Sequence, residues 1–201
     1  MSEVLKKYVP AEAISLIGKW LIENRIHLRI SKPRKTKLGD FRPGNKKQAH
    51  RISVNGDLNK FHFLITFTHE VAHAITWDRY KRSVNPHGVE WKTCYSQLLA
   101  ILINQVNFPV ELVKELKIHM NQPKASSCSD PRLYKALNRY NPESDLVFLE
   151  EIPEGDLFIF NKSRTFRKGS KRRTRFECFD VNKKRMYYVS AHAEVIHVNR
   201  S

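Results

Sequence analysis

Hydrophobic side chains recur at three- and four-residue steps in several segments, and this spacing predicts amphipathic helices. The clearest example covers residues 59–76, where Leu64, Phe67, Val71 and Ile75 form one apolar stripe. The NGDLN turn before it supplies an Asn or Asp that can cap the helix. The same spacing predicts further helices at residues 10–24, 90–105, 109–120 and 129–140. In the first of these, the apolar face consists of Ile14, Ile17, Trp20, Leu21 and Ile22.

Elsewhere, apolar and polar residues alternate with a period of two, which indicates β-strands. Residues 26–31 and 50–55 alternate in this way, and the Lys-, Gly- and Pro-rich segment between them is predicted to be an exposed loop or a hairpin tip. From Asp145 onward, short strand-like segments are separated by predicted turns at Pro153–Gly155, Lys168–Ser170 and Asn182–Lys183. We therefore predict an α+β fold, with a mostly helical domain and a short N-terminal β-sheet in residues 1–140 and a small antiparallel β subdomain in residues 141–201.

The chain is strongly basic, and its charge is unevenly distributed. There are 36 Lys and Arg residues against 20 Asp and Glu residues, a formal net charge of +16. Residues 1–60 carry +9, residues 61–154 carry −1 and residues 155–201 carry +8. Basic flanks of this size favour a polyanionic partner, which is DNA, RNA or an anionic membrane. Because the basic residues cluster and alternate with aromatic residues in the C-terminal part, we expect DNA (single-stranded or duplex) or RNA. The simpler interpretation is a basic, solvated surface.

The composition also indicates a compartment. No segment approaches the roughly 18 consecutive apolar residues of a membrane helix, so no membrane partner is expected. The N-terminus shows no apolar stretch followed by a cleavage site. The three cysteines are odd in number and scattered, which argues against a disulfide framework. We expect a cytoplasmic protein, associated with the nucleoid if it is bacterial.

The segment THEVAHA contains the pattern H-E-x-x-H, formed by His69, Glu70 and His73. Positions four apart lie on one face of a helix, so the two imidazoles can reach one zinc ion. Glu70 then lies beside the metal, where it can act as the catalytic base toward a water molecule that zinc makes acidic. The simpler interpretation is a pair of surface histidines beside an ordinary glutamate.

Catalytic zinc usually has three protein ligands and one open position, so a third ligand is needed. The extended pattern with a third histidine six residues after His73 fails, because position 79 is Arg. His87, in the segment NPHGVEW, is the best candidate, and Glu90 is the alternative. We expect one zinc ion per chain, bound by His69, His73 and His87.

The run from about Gly39 to Trp91 resembles the SprT-like (Spartan-type) zinc metalloproteases. The matching elements are the loop with Gly39, the strand RISVN, the helix FLITFTHEVAHA and the segment HGVEW. The resemblance covers roughly residues 5–105. It implies a zincin-like core, the same three histidine ligands, Glu70 as the catalytic glutamate, association with DNA and cleavage of proteins crosslinked to DNA.

The chain departs from this family in its C-terminal part. Many bacterial members carry a zinc ribbon with paired C-x-x-C motifs, and this sequence has none. A second, structural zinc is therefore not expected. A site that combines Cys128 or Cys178 with His192 or His197 is the remaining possibility.

The C-terminal run NKSRTFRKGSKRRTRFECFD places eight basic residues among three phenylalanines. We expect the aromatic side chains of Phe158, Phe160, Phe176 and Phe179 to form the core of the subdomain, because so small a fold needs them inside. The basic side chains are predicted to form a phosphate-binding loop, since a dense cluster of one sign repels itself without an anion. They are Arg164, Arg167, Lys168, Lys171, Arg172, Arg173 and Arg175.

Three functions are compatible with these features. The first is a DNA-associated zinc endopeptidase that cleaves polypeptides bound or crosslinked to DNA. The second is a non-proteolytic, transcription-related protein that binds nucleic acid and holds zinc as a structural ion. Glu70 argues against the second, because a structural site needs no base. The third, a zinc hydrolase that acts on a non-protein substrate, agrees least with the family resemblance.

Overall fold

The computed structural model describes residues 2–34, 36–124, 129–142, 146–161 and 163–198. These residues form six α-helices and two β-sheets, one of them a C-terminal antiparallel sheet, so the predicted α+β class is confirmed. The chain divides into two compact units, Met1–Pro142 and Glu143–Ser201. Within the described ranges, no helix combines the length and apolarity needed to cross a membrane.

The first unit contains the six helices and three strands. In chain order they are α1 (Ser2–Lys6), α2 (Ala13–Glu23), β1 (Ile26–Ser31), β2 (Gly39–Arg42), β3 (His50–Asn55), α3 (Lys60–Tyr80), α4 (Val89–Gln105), α5 (Val110–Asn121) and α6 (Pro131–Asn138). Five helices and two strands lie where the hydrophobic pattern places them. The short helix α1 and the strand β2 were not expected.

The N-terminal sheet has the strand order β1-β3-β2. β1 and β3 are parallel, and β2 pairs with β3 in the antiparallel direction at the edge of the sheet. The prediction of a loop or hairpin tip between β1 and β3 was wrong at residues 39–42, because this four-residue segment becomes a strand only through its pairing with β3. Its alternation is too short to show in the sequence.

Helix α3 is the centre of the first unit. Its N-terminus is capped by Asn59, whose side-chain oxygen accepts a hydrogen bond from the backbone N–H of His62 at 2.9 Å. The helix runs to Tyr80, four residues beyond the predicted end. The predicted apolar stripe packs in the core, but burial extends well beyond it, because every residue from His62 to Ala72 is buried. α3 packs against β2, β3, α4 and α6, so it is enclosed on more than one side.

Helix α2 packs on this core through Ala13, Leu16, Ile17, Trp20 and Leu21, which are all buried. Ile22 does not belong to its apolar face as predicted, since it is 75% exposed. It follows Leu21 by one position, and neighbours in a helix point about 100° apart. The buried face of α2 is therefore narrower than the run of consecutive apolar residues suggests.

The second unit is a six-stranded antiparallel sheet with the order β4-β9-β5-β6-β7-β8. Its strands are β4 (Leu146–Phe148), β5 (Leu157–Phe160), β6 (Arg164–Arg172), β7 (Arg175–Asp180), β8 (Arg185–Ser190) and β9 (Glu194–Val198), with a 3₁₀ turn at Leu149–Glu151. The predicted turn at Lys168–Ser170 was wrong, because these residues lie within β6. The strand instead has a register shift against β7 between Lys168 and Lys171, as in a β-bulge.

One face of this second sheet forms the small core expected from the aromatic residues. Phe158, Phe166 and Phe176 are buried there together with Cys178. Phe158 and Phe166 stack at a centroid distance of 5.5 Å. Phe179, which was also predicted to lie in this core, is only half-buried. It lies on β7, and its side chain projects from the face opposite to that of Phe176.

Candidate metal centre

Three imidazole nitrogens converge at one point of the first unit. His69 and His73 lie one turn apart on α3, and their Nε2 atoms are separated by 3.1 Å. His87 comes from the loop before α4, and its Nε2 atom lies 3.0 Å from that of His73 and 3.3 Å from that of His69. Its backbone is in the left-handed region, with φ 58°. Histidine adopts this conformation more readily than most residues do.

This arrangement fits a zinc ion. Four ligands at 2.0–2.1 Å in a tetrahedron are separated from one another by about 3.3–3.4 Å, close to the three nitrogen–nitrogen distances observed. Three histidines leave the fourth position open, as a catalytic site requires. In the described part of the chain, this is the one group of three potential ligands that lie within 4.8 Å of one another. Glu90, the alternative third ligand, is not in it.

The three histidines are held in the form that binds metals, which is neutral imidazole. Burial is the main cause: it lowers the pKa of His73 to about 3 and holds the pKa of His69 well below its usual range. Neighbouring histidines contribute to both shifts. The pKa of His87 is also lowered, first by burial and then by the charge of Lys92.

Trp91 forms the wall behind the three histidines. Its ring lies 4.6 Å from the rings of His69 and His87 and 5.2 Å from that of His73, measured between centroids. On the other side, Phe41 of β2 stacks against His73 with an interplanar angle of 11°. The hydrophobic pattern placed Trp91 only within the predicted helix of residues 90–105. Its place in the segment HGVEW, directly after the third ligand, was the signal that it could lie near the metal site.

Glu70 is buried beside this centre, with 7% of its surface exposed. Burial raises the pKa of its carboxyl to about 8, and the nearby negative charge of Asp40 acts in the same direction. The carboxyl group rests against β2 at Gly39. A Cβ atom on Gly39 would clash with Glu70 Oε1 and lie 2.9 Å from its Cγ and Cδ atoms. The absent side chain of Gly39 therefore creates the space that Glu70 occupies.

A cavity of about 360 Å³ opens next to the histidines. His73, His87 and Trp91 line one side of it, and Phe41 and Trp77 contribute apolar surface. Cavities of this size and lining hold small ligands or single side chains. Two of the three candidate metal ligands, His73 and His87, therefore border a space that can receive part of a substrate.

Among the residues that the structure describes, no second group of three potential metal ligands comes together. Cys178 is buried as a free thiol in the C-terminal core, and Cys128 lies outside the described residues. His197 Nε2 instead lies 2.9 Å from the Asp156 carboxylate, and His192 Nδ1 lies 3.6 Å from that of Glu150.

The predicted phosphate-binding residues of the C-terminal unit do not form one loop. Six lie on the strands β6 and β7, and Arg173 lies in the turn between these strands. Lys168 is 5% exposed, and its Nζ atom donates hydrogen bonds to the backbone carbonyls of Glu150 and Ile152. Arg164 pairs with the buried carboxylate of Asp180, with 3.0 Å between Nε and Oδ2. These two cations are therefore engaged within the fold.

Arg167, Arg172 and Arg175 share the exposed face of the sheet. Arg167 lies directly opposite Phe179, and Arg172 directly opposite Arg175, so each pair projects from the same side. β8 adds two exposed side chains to this face, Met186 at 56% and Tyr188 at 60%. Lys171 belongs to the other face, where its Nζ atom lies 5.8 Å from the Phe176 ring. We call Arg167, Arg172, Arg175, Phe179, Met186 and Tyr188 the outer face.

Comparison with known proteins gives one match. The profile of the SprT-like family matches residues 12–120, which is more than half of the chain. The matched segment contains α3, the loop with His87, and α4. No curated protein and no solved structure matches the chain.

The geometry predicts one zinc ion per chain. Replacing His87 by Ala removes one of three ligands, and zinc affinity is expected to fall by more than the roughly 10–100-fold that loss of a supporting contact costs. Elemental analysis of dialysed protein measures the zinc content. Glu90→Ala is the matched control and should retain stoichiometric zinc. Full zinc in His87→Ala together with loss in Glu90→Ala would contradict the assignment.

Proposed function

Because the chain belongs to the SprT-like family, we propose that it is a zinc-dependent endopeptidase that acts on polypeptides associated with nucleic acid, including proteins crosslinked to DNA. The observation that carries this proposal is the convergence of three imidazole nitrogens on one point, with the buried carboxyl of Glu70 directly after His69 on the same helix. Peptide hydrolysis needs a Lewis acid and a base within reach of one water molecule. The same helix, α3, supplies the base and two of the three ligands.

In the proposed mechanism, His69, His73 and His87 would hold a zinc ion, which would supply Lewis acidity. Glu70, kept ionised by the positive charge of that ion, would accept a proton from the attacking water and pass it to the leaving amine. Gly39 fixes the position of this carboxyl group, since the strand lies against it without a side chain between them. Trp91 and Phe41 exclude water from the flanks of the ligands, which strengthens electrostatic interactions inside the site.

β2 offers a way to bind an extended polypeptide. It is the edge strand of the sheet and lies against both Glu70 and His73. A peptide that pairs with such an edge is held through main-chain hydrogen bonds, which depend little on its sequence. The adjacent cavity, lined by Phe41 and Trp77, can take one apolar side chain of that peptide. This arrangement suits a protease with many protein substrates.

The non-proteolytic alternative agrees less well with the site. A structural zinc usually has four protein ligands, whereas three histidines converge here. A carboxyl group buried next to a metal costs free energy unless the site uses it. Glu70 is buried and is not among the convergent ligands, which is the arrangement of a base.

We assign nucleic-acid binding in the C-terminal unit to the outer face. Exposed aromatic and thioether groups beside arginines provide both stacking surface and charge for phosphates. Arg172 and Arg175 face each other directly across two strands, a pairing of like charges that a bound anion stabilises. Arg172 donates to Glu177, so Arg167 and Arg175 are the charges available for phosphate contact.

Glu70→Gln is expected to retain zinc and fold and to lose peptidase activity. Glutamine has almost the same shape but cannot accept the proton, and general base catalysis contributes roughly 10²–10⁴-fold to rate. Turnover of a fluorogenic polypeptide substrate measures the loss, and zinc content and circular dichroism serve as controls. A variant with near-normal turnover would remove Glu70 from the mechanism.

Gly39→Ala should impair catalysis without removing zinc. The new methyl group occupies the position of the Glu70 carboxyl, and a displacement of about 1 Å at a catalytic group can cost about 100-fold in rate. Gly18→Ala on α2 is the matched control, because a Cβ atom there meets nothing within 4 Å. We expect kcat to fall in the first variant and to stay unchanged in the second. Equal activity of the two variants would show that Gly39 does not position Glu70.

Replacing Arg167 and Arg175 together by Gln should weaken binding to single-stranded DNA. The slope of log K against log salt should become shallower by about 1.4, which is 0.7 for each lost phosphate contact. This slope is measured by fluorescence anisotropy of a labelled 20-nucleotide thymidine oligomer over a series of salt concentrations. Lys114→Gln with Lys117→Gln, on the exposed side of α5, removes the same charge elsewhere. Identical slopes in both double variants would mean that the outer face is only a solvated surface.

A further inference from the structure

The solvent face of the N-terminal sheet is lined by basic side chains. Arg51 of β3 lies directly between His27 of β1 and Arg42 of β2. Arg29 lies in the next row, two residues further along β1. Because direct partners across a sheet project from the same side, these side chains share one face. The residues between them in sequence, such as Ile52, point into the core.

Two of these cations are free and the others are held in place. Arg34 donates to Ser53 Oγ at 3.0 Å and to Asn55 Oδ1 at 2.8 Å, so its position is fixed. The single carboxylate on the face, Asp40, accepts hydrogen bonds from Lys37 and Arg42.

Arg29 and Arg51 are exposed. Neither side chain forms a hydrogen bond or ion pair with another described residue.

The face is concave and carries more positive than negative charge. Its side chains line a cavity of about 380 Å³ that includes Arg29, Arg34, Arg42 and Arg51. Arg42 and Arg51 are direct cross-strand partners, and like charges in that position destabilise a sheet. An anion between them removes the repulsion. A locally unfavourable pairing on an otherwise regular sheet is typical of a functional site.

We infer that this face binds phosphate groups of a nucleic-acid backbone, with Arg29 and Arg51 as the contacting residues. The inference rests on the proposed association with nucleic acid and adds a second binding surface, located on the family-matched unit. A row of basic side chains across the sheet, with a further arginine in the next row, suits a polyanion, and guanidinium groups bind phosphate through paired N–H donors. The face lacks the apolar and aromatic centre of a protein interface, which argues against a protein partner.

This surface and the candidate catalytic site share one strand. Along β2, Gly39 and Phe41 face Glu70 and His73, whereas Asp40 and Arg42 face the basic cavity. Adjacent Cα atoms are only about 3.8 Å apart, so the two faces are separated by the thickness of a strand. Nucleic acid on the basic face thus runs alongside the proposed peptide-binding edge, and a protein attached to it is held close to Glu70.

The test uses the full-length protein with Arg29→Gln and Arg51→Gln combined. The labelled thymidine oligomer should bind several-fold more weakly, and the salt slope should become shallower by about 1.4. Lys114→Gln with Lys117→Gln is again the control of equal charge, and it should leave the slope unchanged. The thermal midpoint without DNA should be equal to or above that of wild type, because repulsion is relieved. Hydrolysis of a free peptide should be unaffected.

Three results would overturn the inference. The first is a slope equal to that of the lysine control, and the second is absence of oligomer binding by wild type. The third is an unchanged slope with a raised KM for a Glu-rich peptide, which would make the face a peptide subsite. Comparison with Arg167→Gln and Arg175→Gln separates the two surfaces. If only the Arg167 and Arg175 variant binds the oligomer more weakly, the outer face is the binding surface. If only the Arg29 and Arg51 variant does so, the face of the N-terminal sheet is the binding surface. Peptidase activity is scored independently of either result.

Discussion

The rest of the first unit depends on the burial of polar side chains in the middle of α3. His69 and Glu70 lie in a stretch of α3 that is enclosed by the sheet and by α4. Burial of such groups costs several kcal/mol each unless a partner compensates them. The enclosing elements shape the space for these groups: β2 makes room at Gly39, and α4 places Trp91 against the imidazoles. The imidazole nitrogens lie within 3.3 Å of one another, where a shared cation would compensate their burial. The same enclosure keeps the histidines neutral, so the packing of the core also determines the chemistry of the site.

β2 illustrates how a short strand can serve two purposes. Side chains alternate between the faces of a strand, so four residues present two to each side. On the inner side a glycine is needed for the carboxyl group and an aromatic ring for His73. On the outer side, Arg42 completes the basic cavity and Asp40 limits its charge. A substitution on one side therefore affects the other only through the backbone, which β3 holds in register by hydrogen bonds.

Much of this arrangement could be predicted from the sequence, and the exceptions share a physical cause. The helices α2 to α6 and the strands β1 and β3 follow from local periodicity, and the i, i+4 spacing brings His69 and His73 together. β2 could not be predicted, because its pairing with β3 and its contact with Glu70 are both tertiary. The hydrophobic pattern also did not predict how many residues of α3 are buried, because a helix enclosed on several sides buries residues outside its apolar stripe. His87 was found by residue type, but its left-handed backbone and the wall formed by Trp91 were not.

The two basic flanks show why net charge overstates binding surface. The sequence assigns them almost equal charges, +9 and +8. In the C-terminal flank, Lys168 donates hydrogen bonds to backbone carbonyls and Arg164 pairs with Asp180, so part of that positive charge stabilises the fold. In the N-terminal flank, Arg34 fixes the end of the sheet, whereas Arg29 and Arg51 remain exposed. A cation that already donates to a buried acceptor cannot neutralise a phosphate without breaking that contact. We therefore expect the proposed phosphate contacts, and with them the salt dependence of binding, to come from the arginines of the two sheets whose side chains have no partner among the described residues.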